Sequence, residues 1–365
     1  MGGPIGPAHK VPALARAARV LDALRVSGAP LTLAQLTDCL AAPKASIMGI
    51  CRALTEERLL TRGADGSYAL GPRAFELASM ARAQLPVVRA VGFTYPEDQA
   101  FFLAECAQLA DDAHSHGITV DVRCAERSIA AQVDHIERFI TEGVDLILVE
   151  AVTSHGLETV LNRAQKARIP VVAVGTATSG ASSVVMTDNA KAGSLAAALL
   201  AKTLGGTGSL ALIDGTAITA NADRMSGFLD VIAGYPALSV STRSRGALDQ
   251  ESGQDAAREI LSSGASIDGI FAVNDQIALG VAKVLAGEGK AVPIVSVDGV
   301  RETADQILAG GPIIGTAAQD PRHLMSSALE IGIALSGSPG LGQNTVFLPP
   351  RLIDAMTVKG YEPWG

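Results

Sequence analysis

The sequence predicts an α/β protein in two parts, a small N-terminal helical module and a larger body in which parallel sheets form two lobes. Its 365 residues are enough for two or three hydrophobic cores. The early residues follow helical spacing, whereas the rest alternates apolar strand-like runs with amphipathic stretches. We therefore predict one domain over residues 1–88, including a linker helix, and a second over residues 89–365.

The composition is typical of a globular protein. Hydrophobic residues make up 48% of the chain and charged residues 18%. No apolar stretch reaches the roughly 20 residues that a membrane helix needs. Met1-Gly2-Gly3-Pro4 leads into an Arg-bearing amphipathic segment rather than into the apolar region of an export signal. We therefore expect a cytoplasmic protein that does not associate with membranes.

Charge is distributed unevenly along the chain. Residues 1–90 carry eleven Lys and Arg against six Asp and Glu, a balance of +5. The whole chain carries −8, so subtracting that +5 leaves −13 on residues 91–365. A basic head on an acidic body favours contact between the head and a polyanion. A second interpretation stays open on charge alone, because a few surface arginines on a small helical domain need no partner.

Helical spacing and capping signals predict three helices in the head. The first covers residues 12–26 and ends at the Ser27-Gly28-Ala29-Pro30 stop. Thr32 and Gln35 stand at capping-box spacing and open a short helix, and Pro43 suits the first turn of a third. The apolar face of the first helix is predicted to hold Leu14, Ala17, Leu21 and Leu24. That of the third is predicted to hold Ile47, Ile50, Cys51 and Leu54.

A hairpin follows the third helix. Residues 59–62 and 67–70 are short strand-like runs, and Gly63-Ala64-Asp65-Gly66 between them is typical of a turn. Three helices and a hairpin make the plan of a winged helix-turn-helix, in which the third helix enters the major groove and the wing lies on the DNA backbone. We therefore predict a double-stranded DNA operator as a partner.

Three motifs of the head match a known family. They read Pro-Leu-Thr-Leu-Ala-Gln-Leu at 30–36, Pro-Lys-Ala-Ser at 43–46 and Asp-Gly-Ser-Tyr-Ala-Leu-Gly-Pro-Arg at 65–73. With these motifs, the segment from about residue 11 to residue 83 resembles the DNA-binding domain of IclR-family regulators.

The third helix and the wing supply the candidate DNA contacts. Lys44, Arg52 and Arg62 suit phosphates, which position a protein without reading sequence. The resemblance favours polar residues at Met48 and Gly49, and this sequence departs from it there. Two interpretations stay open: Met48 touches a thymine methyl and Gly49 lets the backbone approach a phosphate, or both are tolerated filling. The full candidate set is Lys44, Ser46, Met48, Gly49, Arg52 and Arg62.

From Val88 onward, apolar strands alternate with helices. Continuous apolar strands with helices between them indicate parallel sheets covered on both faces. So many strands favour two similar lobes over one long sheet. The runs are Ala90–Phe93, Ile118–Val122, Leu146–Val149, Pro170–Val174, Val184–Met186, Leu210–Ile213, Leu238–Val240, Gly269–Val273, Ile294–Val297 and Ile313–Ala317.

Polar residues follow these strands at the edge where open α/β sheets bind ligands. Carboxylate, amide and guanidinium groups stand there with Phe101 and Phe102. Such groups suit a small polyhydroxylated ligand, because polar groups pair with hydroxyls while a ring covers the apolar face of a sugar. For each single Asp or Asn a second interpretation stays open, since these residues also cap helices.

Five motifs of the body match a second family. They are Ile140–Leu148, Arg168–Val172, Arg224–Phe228, Ile270–Gly280 and Val295–Gly299. With them, residues 88–350 resemble the two-lobed periplasmic-binding-protein-like (type I) domains shared by ribose-type sugar-binding proteins and lac-repressor-type (LacI-like) regulators. The resemblance implies ligand contacts by Gln99, Phe101, Phe102, Arg224, Asn274, Asp298 and Gln319.

One departure from this family concerns the ligand. Ribose-type proteins have an Asp-Arg pair after the fourth strand of the body, where this chain has Gly175-Thr176. A charged pair that grips hydroxyls is therefore missing. We add Thr176 to the candidate contacts and expect a bulkier sugar, a polyol or a sugar derivative in the vacated space.

Together these features predict a ligand-responsive transcription regulator. Closure of the lobes on the ligand changes how the DNA-binding heads of a homodimer engage their operator. The linker around residues 83–91 lacks the hinge-helix pattern of lac-repressor-type proteins, so the route from closure to the heads stays open. A transport receptor is an alternative that fits the body but leaves the head unexplained.

An enzyme is the third class considered. The glycine-rich segment Thr203–Gly208 precedes a strand, whereas a nucleotide fingerprint follows one. Asp275 and Asp298 have no evident paired acid or nucleophile. The cysteines, at 39, 51, 106 and 124, show no metal-ligand spacing. We therefore expect no catalysis, no cofactor and no metal.

Overall fold

The computed structural model describes residues 12–27, 29–40, 42–84, 88–337 and 344–364. The N-terminal segment 1–11, Gly28 of the predicted helix stop and residues 85–87 of the predicted linker lie outside the described residues. The chain divides into two compact units, Met1–Leu85 and Pro86–Gly365.

The first unit is a helical module with a two-stranded wing. The predicted capping box is present, since the Thr32 amide donates to Gln35 Oε1 at 2.8 Å and the Gln35 amide donates to Thr32 Oγ1 at 3.3 Å. The two strands pair antiparallel, with Thr61 opposite Ala69. The elements are α1 (Pro12–Ser27), α2 (Leu33–Leu40), α3 (Lys44–Glu56), β1 (Leu60–Arg62), β2 (Tyr68–Leu70) and α4 (Pro72–Gln84).

The core of the first unit corrects the predicted face of α1. Leu14 was expected inside, yet its side chain is 72% exposed, whereas Val20 is fully buried. The side chains of residues 12–15 are all exposed, so none of the described residues covers the first turn of α1. The predicted stripe of α3 is confirmed, with Ile50 half-buried and the other three residues buried.

The second unit contains two α/β lobes. Its first segments are β3 (Ala90–Tyr95), α5 (Ala100–His116), β4 (Thr119–Cys124), α6 (Ile129–Glu142), β5 (Leu146–Glu150), α7 (Glu158–Lys166), β6 (Val171–Val174), β7 (Ser183–Thr187), α8 (Asn189–Thr203), β8 (Thr207–Asp214) and α9 (Thr219–Ile232). They are followed by β9 (Ala237–Arg245), α10 (Gln250–Ser262), β10 (Gly269–Ala272), α11 (Asp275–Gly287), β11 (Ile294–Asp298), α12 (Arg301–Leu308), β12 (Ile313–Ala318), α13 (Pro321–Gly337), β13 (Asn344–Leu348) and β14 (Arg351–Asp354).

The described strands of the second unit form two six-stranded sheets. The first lobe has the order β4-β3-β5-β6-β7-β13 and the second β9-β8-β10-β11-β12-β14. All neighbours run parallel except β12 and β14. Every residue of the inner strands β5 and β11 is buried, because helices cover both faces of each sheet. The predicted fold of two lobes with parallel sheets is confirmed, and each predicted run overlaps one of β3–β12.

The described chain passes between the lobes at the ends of β7, β12 and β13. Helix α8 follows β7 of the first lobe but packs on β11 and β12 of the second, and α13 follows β12 but packs on β5, β6 and β7. Strand β13 joins the first sheet, and β14 then joins the second. Asn189 and Gln319, which begin two of these passages, therefore lie where the lobes meet.

Two glycines bring α8 and α9 into contact. A Cβ atom on Gly193 would overlap the carbonyl oxygen of Arg224, and one on Gly227 would overlap that of Ala190. This approach places Asn189 of α8 beside Arg224 of α9. None of the helices in the described part of the chain is long and apolar enough to cross a membrane.

The crossing of α8 and α9 predicts the effect of Gly227→Ala. The methyl group has no room against Ala190, so we expect the free energy of unfolding to fall by about 1–3 kcal/mol, the usual cost of overpacking. Urea unfolding followed by circular dichroism measures the change. Gly287→Ala on α11 is the control, because a Cβ there meets no atom within 4 Å. Equal midpoints for the two variants would contradict the prediction.

Candidate functional site

A buried guanidinium group marks the centre of the candidate site between the lobes. Arg224 lies on α9 and is 6% exposed. Its Nε donates to Asn189 Oδ1 at 2.8 Å, and its Nη1 donates to the Val273 carbonyl at 2.9 Å. The same Nη1 lies 3.2 Å from Asp298 Oδ1. Arg224 therefore ties the start of α8 to the ends of β10 and β11.

Asp298 is held in a strained conformation. It ends β11 with a backbone φ of 135°, a region that L side chains rarely adopt. Gln319 donates from Nε2 to Asp298 Oδ1 at 2.7 Å, and its backbone amide donates to the Asp298 carbonyl. Burial raises the pKa of Asp298, and the charge of Arg224 opposes that rise. Three of the predicted ligand contacts, Arg224, Asp298 and Gln319, thus meet at one point.

Asn274 and Asp275 hydrogen-bond to groups of the protein itself, at the start of α11 and around the end of β11. Asn274 Oδ1 accepts from the Ile277 amide at 3.0 Å, so the helix-cap interpretation holds at this position. Asp275 is fully buried and accepts hydrogen bonds from two hydroxyls and two backbone amides, which are those of Ser296, Thr316, Gly299 and Val300. Burial and the charge of Asp298 raise the pKa of Asp275 to about 7. Through these four hydrogen bonds Asp275 holds β11 and β12 together. Ligand contact by Asn274 stays a prediction.

Aromatic rings join the two lobes beside these polar groups. Phe101, in the first turn of α5, meets Phe102 edge-on at 5.5 Å and Trp364 at 5.2 Å between ring centroids. Trp364 Nε1 donates to the carbonyls of Asp298 and Gln319 at 3.2 and 3.0 Å. Trp364 was missed because it follows no predicted strand, although it is the only tryptophan in the sequence. Gln99 is half-buried at the N-cap of α5.

Hydroxyl groups form a second contact between the lobes. Thr176, after β6, lies 2.8 Å from Thr219, the first residue of α9, between their Oγ1 atoms. The Thr219 amide donates to Ser154 Oγ at 2.9 Å. Thr176 is 1% exposed, so its predicted ligand contact stays a prediction while its contact with the second lobe is present. Farther out, Arg127 and Asp249 form an ion pair of 3.3 Å across the cleft.

Two buried carboxyl groups lie together in the first lobe. Glu105 on α5 is fully buried, and Glu150 at the end of β5 is 7% exposed. Within the described part of the chain, neither oxygen of Glu105 nor Oε2 of Glu150 accepts a hydrogen bond from any other residue. The two carboxyl groups hydrogen-bond to each other, which requires one of them to carry a proton. Burial and the neighbouring Glu150 charge raise the pKa of Glu105 well above its ordinary value. Burial also raises the pKa of Glu150, against the attraction of Arg224.

The sequence analysis did not single out Glu105. The available signal was a single acidic residue on an apolar helix face, four residues after Phe101 and four before the buried Leu109. No group of three or more His, Cys, Asp or Glu residues suited to a metal ion occurs among the described residues.

The candidate DNA contacts lie on α3 and the wing of the first unit. The side chains of Lys44, Met48, Arg52 and Arg62 and the Gly49 backbone are exposed. Arg52 lies 3.7 Å from Glu56, and both of these side chains are largely exposed. Ser46 is half-buried and its hydroxyl accepts a hydrogen bond from Arg16, which links α3 to α1. Contact with DNA by each of the six residues stays a prediction.

Comparison with family models identifies both units. A model of the periplasmic binding protein domain matches residues 91–339, which is more than half of the chain. The chain belongs to the periplasmic binding protein domain family. A model of the IclR helix-turn-helix domain matches residues 13–64. The predicted fusion of these two families is therefore confirmed.

Curated relatives share the periplasmic binding protein domain. The xylitol-binding protein of Mycolicibacterium smegmatis is 27% identical over 261 residues, covering 70% of this chain and 74% of that protein. The ribose import binding protein RbsB of Bacillus subtilis is 28% identical over 233 residues, covering 63% and 75%.

Solved structures share the same fold. An ABC transporter solute binding protein from Mycobacterium smegmatis with bound glycerol matches with a TM-score of 0.72 and 24% identity, covering 77% of this chain and 99% of that one. One from Bacillus halodurans with bound myo-inositol matches with a TM-score of 0.71 and 22% identity, covering 75% and 97%. At these identities the likeness shows the fold.

The raised pKa of Glu105 predicts the effect of Glu105→Gln. An acid whose folded pKa is raised gives its full stabilisation below its ordinary value of 4.5 and loses it as pH rises through the folded pKa. The native protein should therefore weaken as pH rises from 5 to 8.5, and the variant should weaken less. We expect the variant to melt at least about 2–4 °C higher at pH 8.5, the shift that 1 kcal/mol produces in a large domain.

Thermal unfolding across this pH range measures the effect of Glu105→Gln. Glu288→Gln is the control, because Glu288 is exposed to solvent at the C-cap of α11. Parallel melting curves for the native protein and Glu105→Gln would contradict a buried, proton-binding carboxyl at this position.

The exposed glycine of α3 gives a prediction for the helix-turn-helix unit. Gly49 lies inside the helix, and a Cβ there meets no atom within 4 Å. Gly49→Ala should stabilise this unit by about 1 kcal/mol through helix propensity. Its melting temperature measures the gain. Affinity for duplex DNA decides between the two interpretations of Gly49: we expect it to fall, because a methyl group would separate the backbone from a phosphate, and unchanged affinity would support tolerated filling.

Proposed function

We propose that this protein is a ligand-responsive, DNA-binding transcription regulator that senses a sugar, a polyol or a sugar derivative in the cleft between its lobes. We further propose that it acts in the cytoplasm as a homodimer and does not catalyse a reaction. One observation carries the proposal: an IclR helix-turn-helix domain and a periplasmic binding protein domain occur in the same chain.

The charge of the head supports contact with an operator. Residues 1–90 have the balance of +5, and Lys44, Arg52 and Arg62 are exposed on α3 and the wing. Cationic side chains on these elements neutralise DNA phosphates, which gives affinity that falls as salt rises. Base reading has weaker support, because Met48 and Gly49 offer no bidentate hydrogen bonds.

Both the cleft and the relatives support a polyhydroxylated ligand. Arg224, Asp298 and Gln319 supply donors and acceptors beside the ring of Phe101. Polar groups at fixed positions next to aromatic rings are typical of small-molecule sites. Relatives are named for binding xylitol and ribose, and related structures contain glycerol and myo-inositol. Each of these molecules carries several hydroxyl groups.

Contacts across the cleft support coupling between ligand and lobe closure. Thr176 with Thr219, and Arg127 with Asp249, hold the lobes together only while the cleft is narrow. A ligand that touches both lobes favours that state by its differential affinity. Coupling free energies of this kind are typically about 1–3 kcal/mol, or about 5- to 150-fold in affinity.

An exposed apolar surface on α4 supports the homodimer. Phe75, Leu77 and Met80 are 63%, 51% and 62% exposed. Large apolar side chains grouped on one helix commonly mark a protein interface. A second copy of the chain would cover them, and helix-turn-helix dimers bind paired half-sites.

A receptor of a sugar transport system is the second candidate function. The names of the curated relatives favour it, since several are import binding proteins. The helix-turn-helix domain has no role in such a receptor, and we therefore prefer the regulator. Fractionation of the cells that produce the protein separates the two, because a transport receptor would be recovered outside the cytoplasmic fraction.

A DNA-binding assay tests the regulator directly. Duplexes are selected from a random library with the full-length protein, and affinity is measured by fluorescence anisotropy with and without xylitol, ribose and myo-inositol. We expect a molecule that raises the melting temperature of the protein to change DNA affinity about 5- to 150-fold. A stabilising molecule that leaves DNA affinity unchanged would contradict the coupling.

Separate variants test the two halves of the proposed function. Lys44→Ala and Arg52→Ala should each weaken binding to all duplexes and reduce its salt dependence, while stabilisation by the ligand persists. Arg258→Ala is the control, because Arg258 is an exposed arginine of the second unit whose partners among the described residues are Asp255 and Gln254. Equal loss of affinity in the control would show that binding depends on overall charge rather than on α3.

A further inference from the structure

We propose that the ligand carries a protonated amino group on its polyhydroxylated skeleton, as in an amino sugar or amino polyol, and that Glu105 and Glu150 bind this group. The inference rests on the proposed function, for which it specifies the class of ligand. Neither Glu105 nor Glu150 is among the predicted ligand contacts.

The space that Gly175 leaves open is occupied by a carboxylate from another strand. Gly175 has a φ of +67°, and a Cβ atom there would overlap both carboxylate oxygens of Glu150. An Asp at 175, as in ribose-type proteins, has no room beside Glu150. The departure at Gly175-Thr176 therefore keeps a carboxylate in this space and changes its origin from the end of β6 to the end of β5.

Glu105 adds a second acid to the same place. It is fully buried and shares a hydrogen bond, and so a proton, with Glu150. Within the described chain no other residue donates to either oxygen of Glu105 or to Glu150 Oε2. A buried polar atom without a partner is costly, and a buried acid even more so. Asp275 provides the contrast inside the same domain, because four donors satisfy its buried carboxylate. The Glu105–Glu150 pair, which shares one proton, thus lacks the outside donors that Asp275 has.

The charges around the cleft favour a cation over a neutral donor. Glu150 and Asp298 lie near one buried guanidinium, that of Arg224, and Glu105 lies beside Glu150. Arg224 already bonds to Asn189, Val273 and Asp298. A hydroxyl group donates a hydrogen bond but brings no charge, whereas an ammonium brings three donors and one positive charge.

The position of the pair fits one end of a small ligand. Glu105 lies one helical turn after Phe101 on α5, and the charge of Arg224 reaches Glu150 from the other lobe. The amino group would therefore bind in the first lobe near the aromatic ring. The hydroxyl groups would extend toward Arg224, Asp298 and Gln319 of the second lobe.

Isothermal titration calorimetry with matched molecules tests the assignment. Full-length protein at pH 7 is titrated with 1-amino-1-deoxyxylitol against xylitol, and with D-glucosamine against D-glucose. We expect at least one amino compound to bind about 10- to 100-fold more tightly than its neutral match, the range that hydrogen bonds to charged groups give. Neutral compounds that bind as tightly as both amines would overturn the assignment and leave a polyol-sensing regulator in place.

Charge-removing variants locate the amino group. Glu150→Gln keeps the side-chain size and should reduce the preference for the amine at least about tenfold, with affinity for the neutral match changed less than about threefold. Glu105→Gln leaves the Glu150 charge in place and should reduce the preference by a smaller factor. Glu288→Gln, on the surface, should retain the full preference. A preference that survives both variants would overturn the role of the pair. An amine that binds through the pair yet leaves DNA affinity unchanged would instead contradict the proposed function.

Discussion

The arrangement of the ligand domain depends on satisfying one buried guanidinium. A buried cation must be paired and hydrogen-bonded, because the loss of water around it is otherwise too costly. Arg224 meets this condition where α8, the end of β10 and the end of β11 come together. The glycine contacts between α8 and α9, the strained backbone of Asp298 and the bond from Gln319 all maintain that point.

The first lobe brings acidic groups to the same cleft without matching donors. Glu105 and Glu150 are buried and hydrogen-bond to each other, but they lack the donors from other residues that make Asp275 a structural residue. The fold therefore provides hydrogen-bond partners for the buried charged groups of the second lobe more fully than for those of the first. A ligand that supplied donors and positive charge would stabilise the closed arrangement, and such a differential affinity is what the proposed switch requires.

The sequence predicted the elements well because they follow local rules. Apolar runs located β3–β12, and Thr32 with Gln35 located the start of α2. Leu14 was misplaced because apolar spacing identifies a face but not how far the neighbouring helices extend along it. Strands β13 and β14 were missed because they are short and partly exposed edge strands.

The site was predicted less completely, because its contacts join distant segments. Arg224, Asp298 and Gln319 meet as the family resemblance implied, whereas Asn274 also caps α11. Trp364 and Glu105 reach the cleft from the C-terminus and from a helix face. The pattern of polar residues after apolar strands could not reveal Trp364 or Glu105, because neither follows a strand that the sequence predicted.

The most direct test of ligand-controlled closure is the fluorescence of Trp364. This residue is the only tryptophan in the sequence, and its ring meets Phe101 of the opposite lobe at 5.2 Å. The full-length protein bound to its selected duplex is titrated with xylitol, myo-inositol and their amino analogues. We expect a saturable change in tryptophan emission with the same midpoint as the change in DNA affinity. DNA affinity that responds to a ligand while the emission of Trp364 stays constant would contradict control by the cleft.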